Sequence, residues 1–215
     1  MNSRRRRGRT APALVALLAA TPCAGAPEEP ATAAVRHWEF SGSASGYFLP
    51  DDEDFLLPIV YADRDALHLE ARYNYEALDS GSVFAGWTFA HGDRLRLEVT
   101  PMAGVVLGDL EGIAPGFELS LGNEAFELYM ESEYVFDLED GDSSFLYNWS
   151  ELAYTPVDWF RVGLTTQRTR VYQTERDIQR ALLLGCSVAG VSFTAHLFNL
   201  DDEDPFYVFA VAAEF

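Results

Sequence analysis

The chain has 215 residues, 48% apolar and 13% aromatic, with 34 acidic residues against 15 basic ones and a formal charge of −19. So acidic a sequence lacks the basic footprint that phosphate recognition needs, which excludes nucleic acid as a partner. Its apolar and aromatic content separates it from acidic disordered chains.

Residues 1–26 have the three-part layout of a cleaved export signal. Arg4, Arg5, Arg6, Arg7 and Arg9 precede an apolar run from Ala11 to Ala20 and a small-residue site at Ala24, Gly25 and Ala26. The run is too short to cross a bilayer as a helix, which takes ~20 apolar residues. Thr21 and Pro22 are the wrong residues to precede a lipidated Cys23, and no apolar pair follows the arginines as twin-arginine export requires. Ordinary unfolded export and cleavage after Ala26 are therefore expected. The mature chain would keep 10 basic and 34 acidic residues, no lysine, and a formal charge of −24. Residues 27–35 read as a short linker and 36–215 as a single domain. Cys186 is then the one remaining cysteine, so neither an internal disulfide nor a thiolate metal site is expected.

Beyond the signal, no segment offers the run of apolar residues a membrane helix needs. Period-two alternation recurs instead. Weakly patterned strands are expected at about 37–49, which contains Gly42 and Gly46, and at 56–62. The clearest comb follows, with Leu67, Leu69, Ala71, Tyr73 and Tyr75 on one face and His68, Glu70, Arg72, Asn74 and Glu76 on the other. Leu95, Leu97 and Val99 oppose Arg96, Glu98 and Thr100. Phe117, Leu119 and Leu121 oppose Glu118 and Ser120. Phe126, Leu128 and Met130 oppose Glu127, Tyr129 and Glu131. Phe160, Val162 and Leu164 oppose Arg161, Gly163 and Thr165, and Val191, Phe193, Ala195 and Leu197 oppose Ser192, Thr194 and His196. Successive strand side chains point to opposite faces, so each segment has one apolar and one polar side.

A soluble antiparallel sheet also alternates. Two features favour a membrane barrel. Many segments reach the ~9–11 residues of a tilted membrane strand. Their apolar faces also carry aromatics toward the ends (Tyr73, Tyr75, Trp87, Phe89, Tyr134, Phe136), as the interfacial girdles of outer-membrane barrels do. Short connections at 91–93, 122–124, 155–158 and 189–190 alternate with longer ones at 77–81, 107–116, 137–144, 171–178 and 200–205. That is the pattern of periplasmic turns and outer loops. Asp63, Arg64 and Asp65 read as a further periplasmic turn and 51–54 as an outer loop. The expected fold is all-β: a closed antiparallel transmembrane β-barrel of twelve strands, with ten strands plus an N-terminal segment as the alternative. Pro115 and Pro205 are expected to end strands.

At the end of the sequence Tyr207, Phe209, Val211, Ala213 and Phe215 alternate up to a terminal phenylalanine. This resembles the assembly signal of bacterial outer-membrane proteins, whose last strand ends in an aromatic residue read by the insertion machinery. The stretches Leu67–Glu76 and Trp149–Leu152 also look like an uncharacterised group of small Gram-negative porin-like barrels. The resemblance implies an outer-membrane address, with lipid, lipopolysaccharide and the barrel-insertion machinery as partners, the last through Tyr207, Phe209, Val211 and Phe215. A monomer is expected, and the resemblance implies no activity.

The polar faces define an expected lumen of His68, Glu70, Arg72, Asn74, Arg96, Glu98, Glu118, Glu127, Glu131, Glu133, Glu151, Arg161, Gln167 and His196. A water-filled bore lined this way favours cations. The first reading is thus a small passive channel in which Glu70, Glu98, Glu127, Glu131 and Glu151 bias passage. The second is a sealed barrel in which Arg72, Arg96 and Arg161 pair with neighbouring glutamates and fill the bore. Its acidic outer runs at 51–54, 137–142 and 201–204 would engage ions or partners, although none has calcium-loop spacing. A lipid- or peptide-cleaving barrel comes third. Of His37, His68, His91 and His196, none falls in a nucleophile elbow or a metal-spaced pair, so no catalytic residue, metal or cofactor is expected.

Overall fold

The computed structural model describes residues 37–50, 52–169, 178–201 and 204–215. The expected signal and linker, Asp51 of the first acidic run, all of the 171–178 loop but Ile178, and part of the last acidic run lie outside the described residues.

The strands run in chain order as β1 (Glu39–Phe48), β2 (Phe55–Arg64), β3 (Leu67–Tyr73), β4 (Ser80–Trp87), β5 (Phe89–His91), β6 (Arg96–Gly108) and β7 (Gly112–Gly122). They continue as β8 (Phe126–Asp137), β9 (Phe145–Val157), β10 (Phe160–Arg168), β11 (Gln179–Val188), β12 (Val191–Phe198) and β13 (Phe206–Glu214). Consecutive strands pair antiparallel, except that β4 and β5 both pair with β6, and β1 pairs with β13. β4 and β5 are one strand in two pieces. Gly86 faces Met102 and Phe89 faces Val99 without a change of register, and the intervening Thr88 hydroxyl lies 2.9 Å from that of Thr100. Counted so, twelve strands close into a barrel with no free edge, which removes the unpaired backbone groups that lipid cannot solvate.

Alternation decides which side chains meet lipid. Phe40, Leu56, Val60, Tyr73, Val83, Trp87, Phe89, Leu107, Phe136, Leu152, Leu164, Leu182, Phe193 and Phe209 are all exposed. On a soluble protein such an apolar surface would be a liability. Around a closed barrel it is the lipid-facing belt. The outward comb of β13, Tyr207, Phe209 and Val211, joins it.

Five expectations need correction. The turn expected at Asp63, Arg64 and Asp65 is Asp65 and Ala66, because β2 runs through Arg64. The 107–116 loop shrinks to Asp109, Leu110 and Glu111, because β6 runs to Gly108 and β7 starts at Gly112. Pro115 does not end a strand. It lies within β7 opposite Ala103, where the β7–β8 pairing skips from Ile113 to Gly116, so its missing N–H costs no ladder bond. The turn expected at 155–158 is Asp158 and Trp159 alone, with β9 continuing through Pro156 to Val157. Tyr75, expected on the lipid face, is buried. The strand ends at Tyr73, and Asn74 adopts a left-handed φ of 58°, which breaks the period and turns Tyr75 inward. The Ala189–Gly190 turn matches the expected hairpin, with both central residues at positive φ (52° and 82°) as a type I′ turn requires.

Gly104 illustrates what the barrel wall demands of its interior. A Cβ there would lie 2.6 Å from the ring of Phe84, its register partner on β4. The Phe84 ring occupies that space and carries the Arg72 guanidinium 4.2 Å from its centroid. Gly104→Ala should therefore destabilise the barrel by roughly 1–3 kcal/mol, the usual cost of overpacking, read as a lower urea midpoint in lipid vesicles. Gly141→Ala, where nothing lies within 4 Å, should leave the midpoint unchanged. Equal midpoints for the two variants would refute the account.

Candidate functional site

The barrel interior has three levels. Toward the end that carries the short turns, the end expected to face the periplasm, the inward residues are short or polar, among them Ser41, Ser43, Ser45, Thr88, Ser120 and Ser192, and they are only partly buried. Arg96 pairs with Glu98 there at 2.7 Å.

Midway lies a charged cluster. Arg72 is its guanidinium, with NH2 2.5 Å from Glu70 and NH1 2.8, 3.2 and 3.6 Å from Glu131, Glu133 and Glu76. The rings of Tyr75 and Phe84 flank it at 4.4 and 4.2 Å. His68 places Nδ1 2.7 Å from Asp63 and Nε2 2.7 Å from Glu70, with Glu118 at 3.7 Å. Tyr75 donates to Glu131 at 2.5 Å and Tyr129 to Glu118 at 2.5 Å. Even so, Glu76 Oε2 and Glu133 Oε1 are buried without a hydrogen-bond partner.

Above the cluster, toward the outer loops, the interior is apolar. Tyr47, Leu57, Ile59, Tyr75, Tyr147, Ala181, Phe198, Phe206 and Val208 form one buried group. Val106, Leu110, Ala114 and Val135 form another, which reaches down beside Arg72 through Phe84 and Met102, and Phe145 packs against both groups. Phe198 and Phe206 stack at 4.5 Å with an interplanar angle of 1°. Tyr47 donates to Gln167 at 3.3 Å, and Gln167 to Gln179 at 2.9 Å. With Arg72 from β3, Gln167 from β10 and Leu183 from β11, each of the twelve strands contributes at least one buried side chain. A polar lining throughout was expected. Instead the inward faces of β2, β11 and β13 are largely apolar in the outer half, while β12 keeps the expected polar face through His196 and turns apolar at Phe198.

The residues singled out from sequence do not form one set. His68, Glu70, Arg72, Glu118, Glu131 and Glu133 meet in the charged cluster. Gln167 belongs to the outer packing. Arg96, Glu98 and Glu127 lie near the periplasmic turns of their strands. Asn74 sits at the outer end of β3, where its amide donates to the Leu56 carbonyl and its carbonyl oxygen accepts from the Asp79 N–H. Glu151 and Arg161 form a second small network: Arg161 lies 3.4 Å from Glu151 and donates to Thr194 at 3.1 Å. His196 there has Nδ1 3.0 Å from the Thr165 hydroxyl and Nε2 3.8 Å from Glu151. A hydroxyl, an imidazole and a carboxylate in sequence suggest acyl transfer, but Thr165 is 1% exposed, so no substrate carbonyl reaches it in this packing. Sequence reasoning missed Asp63, read as a turn, and the inward tyrosines Tyr47, Tyr61 and Tyr147, and it set Tyr75 on the wrong face because the comb runs on past the end of the strand.

No protein-family model matches the chain, and no curated protein matches it. Solved structures do. A KdgM porin in complex with disordered oligogalacturonate aligns at a TM-score of 0.59 and 11% identity, over 81% of this chain and 99% of its own. A second KdgM porin structure aligns at 0.58 and 12% identity over the same shares. At that identity the likeness is one of fold. Together with the apolar belt, it makes the chain a small outer-membrane-type β-barrel, closed with twelve antiparallel strands as in the KdgM porins.

Proposed function

We propose that the protein is an outer-membrane barrel of porin architecture whose bore is shut at rest across its outer half and open to the periplasm as a polar vestibule. One observation carries this reading: Phe198, Phe206, Leu183, Val135 and Val106 are each 0% exposed inside the barrel wall. Side chains lining a water-filled channel retain accessible surface. These are packed as in a core, and their backbones belong to the barrel wall itself. The pairing of Arg72, Arg96 and Arg161 with glutamates supports the same reading, because the charges are spent on one another rather than presented to a passing solute.

The second reading is a conducting porin, favoured by the likeness to KdgM porins. If the bore opens, charge selects the passenger. Glu70, Glu118, Glu131, Glu133 and Glu151 outweigh Arg72 and Arg161, so a polyanion such as oligogalacturonate is repelled and cations are preferred. Single-channel recording of the refolded protein in a planar bilayer separates the two. Folded barrels that show no steady conductance at low voltage support the closed reading. Steady cation-selective current from the unmodified protein would replace it with the second.

A further inference from the structure

We propose that His68, Glu70 and Glu118 form a binding site for one divalent transition-metal ion, of the zinc or manganese kind, at the inner end of the periplasmic vestibule. The proposal does not depend on whether the bore conducts. One ligand atom from each residue lies within 4.8 Å of the other two. An imidazole nitrogen with two carboxylate oxygens, leaving a position for water, suits such an ion, whose bonds run to ~2.0–2.2 Å. Seating the ion opens the 2.7 Å Nε2–Oε1 pair and keeps Glu118 Oε2, 3.7 Å from Nε2, beside it, movements at the ends of flexible side chains.

The second atom of each ligand is already held. Asp63 takes His68 Nδ1 at 2.7 Å, Arg72 takes Glu70 Oε2 at 2.5 Å, and Tyr129 donates to Glu118 Oε1 at 2.5 Å. Nε2, Oε1 and Oε2 are thereby the atoms left to converge. A carboxylate on the far nitrogen of a histidine is the partner that fixes the ring of a metal ligand.

A separate observation shows that the cluster is short of hydrogen-bond donors. Glu76 Oε2 and Glu133 Oε1 are buried and have no hydrogen-bond partner, although both residues lie against Arg72 NH1. One guanidinium is divided between Glu70 on one edge and these carboxylates on the other. A metal ion bound to Glu70 supplies charge on that edge, displaces the Nε2 proton of His68 to solvent through the vestibule, and leaves more of Arg72 to the starved carboxylates. Side-chain exposures of 17% at Glu118 and 10% at His68 give an ion a way in.

The test is calorimetric titration of the refolded barrel in detergent with zinc chloride and with manganese chloride, folding being checked by heat-modifiable gel mobility. One ion per barrel is expected. Binding should weaken at least about a hundredfold in His68→Gln and in Glu118→Gln, and roughly ten- to a hundredfold in Asp63→Asn, the usual effect of losing such an outer partner. The outer-loop variant Glu139→Gln/Asp140→Asn/Asp142→Asn should bind as the parent does. Full affinity in His68→Gln, or its loss in the loop variant, would assign the ion to surface carboxylates and overturn the proposal. X-ray absorption of the zinc-loaded parent gives a reading that needs no variant: one imidazole in a nitrogen and oxygen shell is expected, and an all-oxygen shell overturns the site.

Discussion

Replacing Arg72 with methionine is expected to cost the barrel about 3–5 kcal/mol, the range for removing one partner of a buried ion pair. The side chain is 4% exposed and is the arginine that faces Glu70, Glu76, Glu131 and Glu133 together. Without it their charges repel across a space that excludes water, and the rings of Tyr75 and Phe84 lose the cation between them. Lysine is expected to restore only part of the loss. Its single ammonium cannot reach Glu70 on one edge and Glu131 on the other as a planar fork does. Neutralising the partners should also compensate: adding Glu131→Gln and Glu133→Gln to Arg72→Met should recover stability. Urea unfolding in lipid vesicles, followed by tryptophan fluorescence, measures each step. A loss below about 1 kcal/mol for Arg72→Met, the scale of an exposed pair, would show that the cluster is hydrated and that this arginine does not hold it.

Such a cluster was half legible in the sequence. His68, Glu70 and Arg72 sit two apart on a strand, and period two alone places them on one face. That Glu118 and Glu131 join them follows from barrel closure, which brings β7 and β8 round to face β3, and no local pattern encodes it. The strands were legible where one face is polar and one apolar. They were ambiguous where both are apolar, as in β2, whose Leu57 and Ile59 point inward while Leu56 and Val60 meet lipid. Hydropathy cannot orient such a strand. The false loop at 107–116 has a different cause. Gly112 and Gly116 look like loop residues, yet a Cβ at either would strike the β8 backbone or Glu133. They are strand positions kept small by what packs over them.

The filled outer half was the part least visible in advance, and it makes the most consequential prediction about the bore. Truncating Phe198 and Phe206 together to alanine is expected to turn a silent barrel into a conducting one. The two rings stack face to face within the group that fills the side bounded by β1, β2, β9 and β11–β13. The second group, around Phe84 and Val106, fills the side bounded by β4 and β6–β8. Removing the stacked pair therefore clears a path on one side while the other stays packed. The backbone ladder that closes the wall does not depend on either ring, so the barrel should persist, although each Phe→Ala change carries a cavity cost of roughly 3–5 kcal/mol and the folded fraction must be isolated first. Current through the variant should favour cations, because the path leads onto Glu131 and Glu151. Phe209→Ala, on the same strand as Phe206 but 51% exposed to lipid, should stay silent. If the double variant folds and remains silent, these rings are not what shuts the bore. If the parent already conducts as the variant does, the packing seen here yields to ions and the barrel works as an open porin.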